Sequence, residues 1–298
     1  MSVLEVINSM WLTSFSNFRH VVLKAKEGVT MDNEVIKCSQ SNNASAVISI
    51  PLGTMLTGEV ESIQLGINSH HITITGYSGS GKSTLLHSII CGILKAYSAE
   101  DVQLILHDSG LSEFRLFEGE SIPNLRMIST SGELNNFAIL LNELDQEIER
   151  REKILMATGA ASCRQYVQQH NKKPFSHLII IMDCSYQFLK WVNANANSFQ
   201  TMLQKGYALN IFFIIAGHDN ALHEYLPESV QRHFNMRILT HQGYDSAYLQ
   251  LGDREYAEKA QHLICGEAIV NKPTPHIIRI PYLDIESEKQ VISQASVK

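Results

Sequence analysis

Nine consecutive residues, Gly76-Tyr77-Ser78-Gly79-Ser80-Gly81-Lys82-Ser83-Thr84, have the composition and spacing of a phosphate-binding loop. In the pattern G-x-x-x-x-G-K-S, glycines let backbone N–H groups converge on the phosphates. Lys82 then reaches the β and γ oxygens of a nucleotide, and the Ser83 hydroxyl ligates Mg²⁺. The residues on either side agree with this chemistry. His71-Ile72-Thr73-Ile74-Thr75 reads as a strand, and Leu85, Leu86, Ile89, Ile90 and Ile93 recur with helical spacing. A helix that starts inside such a loop directs its positive end at the anion.

Two further positions could take part. His177-Leu178-Ile179-Ile180-Ile181-Met182-Asp183 is an apolar run ending in an acid, as expected of a strand buried on both faces that delivers a carboxylate to a magnesium ion through water. Ile211 to Ala216 is a second apolar run, and it ends in Gly217-His218. Function gathers at the carboxyl ends of parallel strands, so His218 is placed to sense a γ-phosphate or to cap its strand.

Elements must hold these groups together, and the chain has material for them. Strand-like runs also occur at Val47–Ile50, Pro51–Gly53, Glu61–Leu65, Val102–Asp108, Asn235–Thr240 and Glu267–Val270. Residues 133–156 make one long amphipathic helix, with Phe137, Leu140, Leu141, Leu144 and Ile148 on one face. Its charges are expected to form a solvated face with i,i+4 pairs such as Glu147 with Arg151. Strands alternating with helices predict an α/β domain with a largely parallel central sheet. The expected division is an extension or docking segment over residues 1–45, the nucleotide domain over 46–285, and a flexible acidic tail over 286–298. Within the first segment, residues 3–18 suggest a helix and 19–25 a strand.

At 298 residues, 44% hydrophobic and 18% charged, the chain can bury a large core without staples. Its five cysteines are dispersed and never spaced C-x-x-C, so free thiols are expected and not a disulfide framework or zinc site. His70 and His71 adjoin, but strand neighbours point to opposite faces and cannot share one metal. No apolar run is long enough to span a bilayer, and Met1-Ser2-Val3-Leu4-Glu5 lacks a basic leader region, so a cytoplasmic location without membrane insertion is expected. A net charge of −6 supplies no general attraction to nucleic acid, although a ring can grip DNA with a few pore loops.

Taken in order, these motifs resemble the FtsK/SpoIIIE group of P-loop ATPases, which includes ring-forming DNA motors and the related modules of type VII secretion coupling proteins. The resemblance spans about residues 47–285. It rests on Pro51-Leu52-Gly53 with Gly58-Glu59, the phosphate loop, Asp108 followed by Glu113-Phe114, and Ile122-Pro123-Asn124-Leu125. It continues through Glu147-Ile148-Glu149-Arg150-Arg151, and Arg237 with Asp245-Ser246. It implies a RecA-like fold, bound ATP and Mg²⁺, and assembly into a homo-oligomeric ring, a hexamer, or beside neighbouring ATPase modules. The polymer handled would be double-stranded DNA or, alternatively, a secreted protein.

The chain departs from the family pattern at several positions. Asp183-Cys184 stands where the family has Asp-Glu, Gly217-His218 where it has Thr-Gln, and Tyr207 where it presents an arginine to a neighbour's nucleotide. Asp108 lacks the usual Pro-Lys after it. These changes predict ATP binding with weak or absent hydrolysis, because loss of a water-positioning group or an arginine finger costs several orders of magnitude in rate. Asp108 and His218 are the candidates to replace the missing base.

Overall fold

The computed structural model describes residues 47–66, 70–108, 113–129, 134–184 and 186–296. The readings made for residues 1–45 lie outside them.

Ten strands form one sheet. They are β1 (Ile48–Met55), β2 (Val60–Leu65), β3 (His71–Gly76), β4 (Val102–Asp108), β5 (Leu125–Ser129), β6 (His177–Asp183), β7 (Ile211–His218), β8 (Phe234–Leu239), β9 (Glu267–Val270) and β10 (His276–Arg279). The order across the sheet is β2-β1-β10-β9-β8-β3-β7-β6-β4-β5. From β8 to β5 all neighbours run parallel, and β9, β10, β1 and β2 continue the sheet antiparallel. The helices are α1 (Lys82–Ala96), α2 (Leu134–Thr158), α3 (Cys163–His170), α4 (Tyr186–Ala194), α5 (Ala196–Ala208), α6 (Asp219–Tyr225), α7 (Glu228–Gln231), α8 (Tyr244–Leu251), α9 (Arg254–Ala260) and α10 (Ile285–Ser296).

The parallel strands read as continuous apolar runs because both of their faces are covered. Side chains alternate across the sheet. Leu104, Leu106, Ile179, Ile181, Phe212 and Ile214 enter the core shared with α1 and α10. Ile105, Leu178, Ile180, Phe213 and Ile215 enter the opposite core beneath α2 and α5. The α/β sandwich expected from the sequence is therefore the fold observed.

Two local expectations are corrected. The stretch beyond Asp284 is not a frayed tail. It forms α10, whose Val291, Ile292 and Ala295 are buried against the core of α1. The acids that suggested fraying occupy its outer face, except Glu288, which is 7% exposed and lies 3.1 Å from His87 Nδ1. The runs expected as separate strands at 47–50 and 51–53 join into β1, with a register irregularity at Pro51–Gly53 that accommodates a residue lacking an N–H.

His87 sits on α1 between two acceptors. Nε2 lies 2.9 Å from the Glu113 carbonyl and Nδ1 is on the Glu288 carboxylate, so both contacts are satisfied only when both ring nitrogens carry protons. Burial opposes that charge, but the Glu288 hydrogen bond and the charges of Glu288 and Glu113 outweigh it and raise the His87 pKa. A folded-state pKa above the unfolded value stabilises fully below about pH 6.5 and is lost as pH rises through the folded value. Glu288→Gln is therefore expected to cost about 1 kcal/mol near pH 6, with the deficit shrinking steadily above pH 7 in urea titrations. A deficit independent of pH would refute this role.

Candidate functional site

Every sequence-derived candidate comes to the carboxyl edge of the parallel strands. Gly76 is level with His218 on β7, Ala216 with Asp183 on β6, and Asp183 with Asp108 on β4. One strand, β7, thus separates the phosphate loop from the acidic strand, and His218 ends it between the two.

The phosphate loop is built onto the sheet from below. Tyr77 N–H donates to the His241 carbonyl at 2.9 Å, and the Ser80 and Thr240 hydroxyls meet at 2.6 Å. Gly76 must be glycine: a Cβ there would lie 2.0 Å from Thr240 Oγ1. Gly81, at φ +102°, enters α1 from the left-handed region. Lys82 and Ser83 thereby open the helix, at its positive end. Tyr77, Ser78, Gly79 and Ser83 are exposed, Ser80 is buried, and Lys82 and Thr84 are partly buried. Lys82 Nζ donates to the Gly76 and Tyr77 carbonyls at 3.0 and 2.8 Å. Burial lowers its pKa, while Asp183, Asp219 and Glu113 pull in the other direction.

Asp183 is pushed up to about 6, first by burial and then by the nearby Glu113 and Asp108 carboxylates, with Lys82 opposing. A divalent cation would suit this concentration of negative charge, with Asp183 and the exposed Ser83 hydroxyl as the groups that would hold it. Cys184 follows, partly buried, its N–H on the Ala216 carbonyl. Burial, reinforced by Asp183, drives its thiol well above the ordinary range, so Cys184 is a neutral thiol.

The two proposed bases have different surroundings. Asp108 is wholly buried, and its Oδ2 accepts the Glu113 N–H at 2.6 Å. Enclosed and committed to the Glu113 N–H, it is not open to an attacking water. His218 has a side chain 57% exposed, with Nδ1 2.7 Å from Asp219 Oδ1. Its ring lies 5.9 Å from that of Tyr77.

Sequence reasoning missed several neighbours. Asp219, three residues past the apolar run of β7, is buried at the loop. Thr240 stabilises the loop from β8, and Cys265 lies where a Cβ on Gly81 would stand 3.7 Å from its sulfur. None belongs to a spacing pattern, since loops distant in sequence supply them; the one available signal was that Asp219 follows His218. Tyr207, at the end of α5, is 38% exposed and packs on His70 with ring centroids 3.8 Å apart. His71 is neutral: Nε2 contacts the Leu203 carbonyl and Nδ1 accepts the Phe213 N–H, and its pKa falls to about 3, chiefly through burial. No group of three metal-ligating side chains occurs among the described residues outside this arrangement or within it.

A phosphate loop entering a helix, a parallel sheet covered on both faces, and an inserted strand before the acidic one together define a RecA-like P-loop ATPase. The FtsK/SpoIIIE family profile matches residues 33–280, and the chain belongs to that family. A DNA translocase FtsK from Listeria monocytogenes is 27% identical over 193 residues, covering 61% of this chain and 25% of the relative. The chain therefore corresponds to about a quarter of that protein's length. EssC (ATPases 2 and 3) from Geobacillus thermodenitrificans superposes with a TM-score of 0.69 at 16% identity, covering 87% of this chain and 50% of that one. The cytoplasmic domain of the Thermomonospora curvata type VII secretion ATPase EccC gives 0.68 at 20% identity, covering 88% and 33%. Among the described residues no helix is long and apolar enough to cross a membrane.

Proposed function

We propose that this chain is an ATP-binding motor module whose site is altered toward slow hydrolysis, and that it couples ATP to the movement of double-stranded DNA as part of a ring. The observation that carries this reading is the convergence of Lys82, Ser83, Asp183 and His218 at one sheet edge, with a neutral thiol at Cys184 in place of a carboxylate. In it, residues 76–84 wrap the phosphates, Lys82 neutralises the β and γ oxygens, and Ser83 and Asp183 hold Mg²⁺. The ion would neutralise charge developing on the phosphates. The module acts in the cytoplasm, beside identical copies or neighbouring ATPase modules of a membrane-associated complex.

Cys184→Glu is expected to raise hydrolysis at least about tenfold, by restoring a carboxylate next to Asp183. An unchanged rate in a phosphate-release assay would place the deficiency in the arginine replaced by Tyr207 or in the assembly. The acidity of the chain favours a second reading, a regulatory module of a protein-export ATPase whose partner is a polypeptide. Duplex binding separates the two. A motor on DNA should bind with affinity falling steeply between 50 and 200 mM salt, whereas absent or salt-insensitive binding supports the export reading.

A further inference from the structure

We propose that His218 and Asp219 form a dyad in which Asp219 orients the imidazole and His218 takes the proton of the water that attacks the γ-phosphorus. This inference rests on the reading of the site as an ATP site. It assigns the base that the missing glutamate leaves open.

The geometry is asymmetric in an informative way. His218 stands in solvent at the end of the strand between the phosphate loop and Asp183, while the Asp219 side chain beside it is 2% exposed. Neither Asp219 oxygen has a hydrogen-bond partner among the described residues, and His218 Nδ1 approaches Oδ1 to 2.7 Å as an ion-pair contact. Burying a carboxylate without hydrogen-bond partners is costly, and positive charge developing on the adjacent imidazole offsets that cost. Asp219 begins a helix, but it does not accept a backbone N–H there, so capping does not account for it. Its main-chain carbonyl is fixed by the Ser246 hydroxyl at 3.0 Å, and Gly243 leaves room beside Oδ2, where a Cβ would come within 3.9 Å.

A carboxylate charge 2.7 Å from Nδ1 favours the tautomer with its proton there and leaves the Nε2 lone pair free. The alternatives at this edge are less suited. Cys184 is a neutral thiol, Asp108 is buried on the Glu113 N–H, and the Glu113 carboxylate lies 4.0 Å from His87 Nε2. In the step, a water oxygen forms a bond to the γ-phosphorus as the bond from that phosphorus to the β,γ-bridging oxygen breaks. The water proton passes to Nε2, the imidazolium is held by Asp219, and ADP leaves with the electron pair. Solvent then takes the proton from the exposed ring.

The test combines calorimetry with Mg-ATP, phosphate release, and ¹⁵N NMR of the histidine ring without nucleotide, on wild type, His218→Ala and Asp219→Asn. The expected result has three parts. Mg-ATP affinity stays within about threefold in both variants, turnover falls at least about tenfold in both, and Asp219→Asn moves the His218 ring proton from Nδ1 toward Nε2. Wild-type turnover in His218→Ala or an unmoved tautomer in Asp219→Asn would each overturn the dyad. Wild type that binds Mg-ATP but hydrolyses no faster than Lys82→Ala overturns the dyad and leaves the binding reading standing. Wild type that binds no Mg-ATP overturns both.

Discussion

Lys82→Ala is expected to abolish the stabilisation that Mg-ATP confers on this protein. A ligand at a hundred times its dissociation constant stabilises a one-site fold by about 2.7 kcal/mol, a shift of several degrees that the variant should lack. The reason lies in the loop. Its backbone N–H groups and the start of α1 supply partial positive charge, but Lys82 is the full charge within it, and it already reaches the Gly76 and Tyr77 carbonyls that line the turn. Without the ammonium, the phosphates would face Asp183, Glu113 and Asp219 uncompensated. The nucleotide-free variant should lose little stability, because Lys82 is only partly buried and the Tyr77 carbonyl it releases is exposed. Differential scanning fluorimetry at saturating and zero Mg-ATP measures both quantities, and an undiminished shift would refute nucleotide binding at this loop.

Glu147→Ala is expected to cost about 3–5 kcal/mol, the largest stability loss anticipated for a residue outside the site. Glu147 and Arg151 are 4% and 1% exposed, so the pair expected on a solvated helix face is in fact buried. The Glu147 carboxylate takes Arg151 Nε at 2.6 Å, Arg150 Nη2 at 2.8 Å and Arg126 Nη1 at 3.1 Å. Burial pushes its pKa up, but the bonds from Arg150 and Arg151 and the charge of Arg151 overcome this and bring it to about 2. That depressed value contributes stability above the unfolded carboxylate range and loses it only as pH falls toward 2.

Arg151 in turn donates to the Leu209 and Asn210 carbonyls, where the chain turns into β7, and its guanidinium lies 4.4 Å from the Phe175 ring. Removal of Glu147 strands a buried cation, whereas Glu147→Leu combined with Arg151→Met should recover most of the loss. Urea denaturation decides this, and a deficit under about 1 kcal/mol in Glu147→Ala would mean that the cluster is surface-like. The cluster also matters for the site, since it fixes the start of the strand that ends in His218.

Much of the architecture was legible in the sequence because parallel strands buried on both faces must be continuously apolar. Val102–Asp108, His177–Asp183 and Ile211–His218 announce themselves in that way, and the glycines and lysine of residues 76–84 form a contiguous pattern. Helix α2 was legible from its period, with Leu140, Leu144 and Ile148 on the buried side. Its charges were not. Periodicity marks which residues are apolar, but whether Glu147 and Arg151 meet water depends on Arg126 and on the turn at Leu209, which reach them from other elements. The same holds for α10, whose acids suggested a loose end until α1 was seen to cover its apolar side.

At the site, local sequence determined the phosphate loop, the acid at the end of β6 and the absence of a carboxylate after it, because each is carried by adjacent residues. Only the tertiary structure decided that Asp108 is enclosed, that His218 stands between loop and acid, that Asp219 is buried against it with Tyr77 close by, and that Thr240 meets Ser80 of the loop. The physical reason is that covalent neighbours define a backbone's hydrogen-bonding and conformational options, whereas burial and charge environment are properties of space, filled here by segments more than 100 residues apart in the chain.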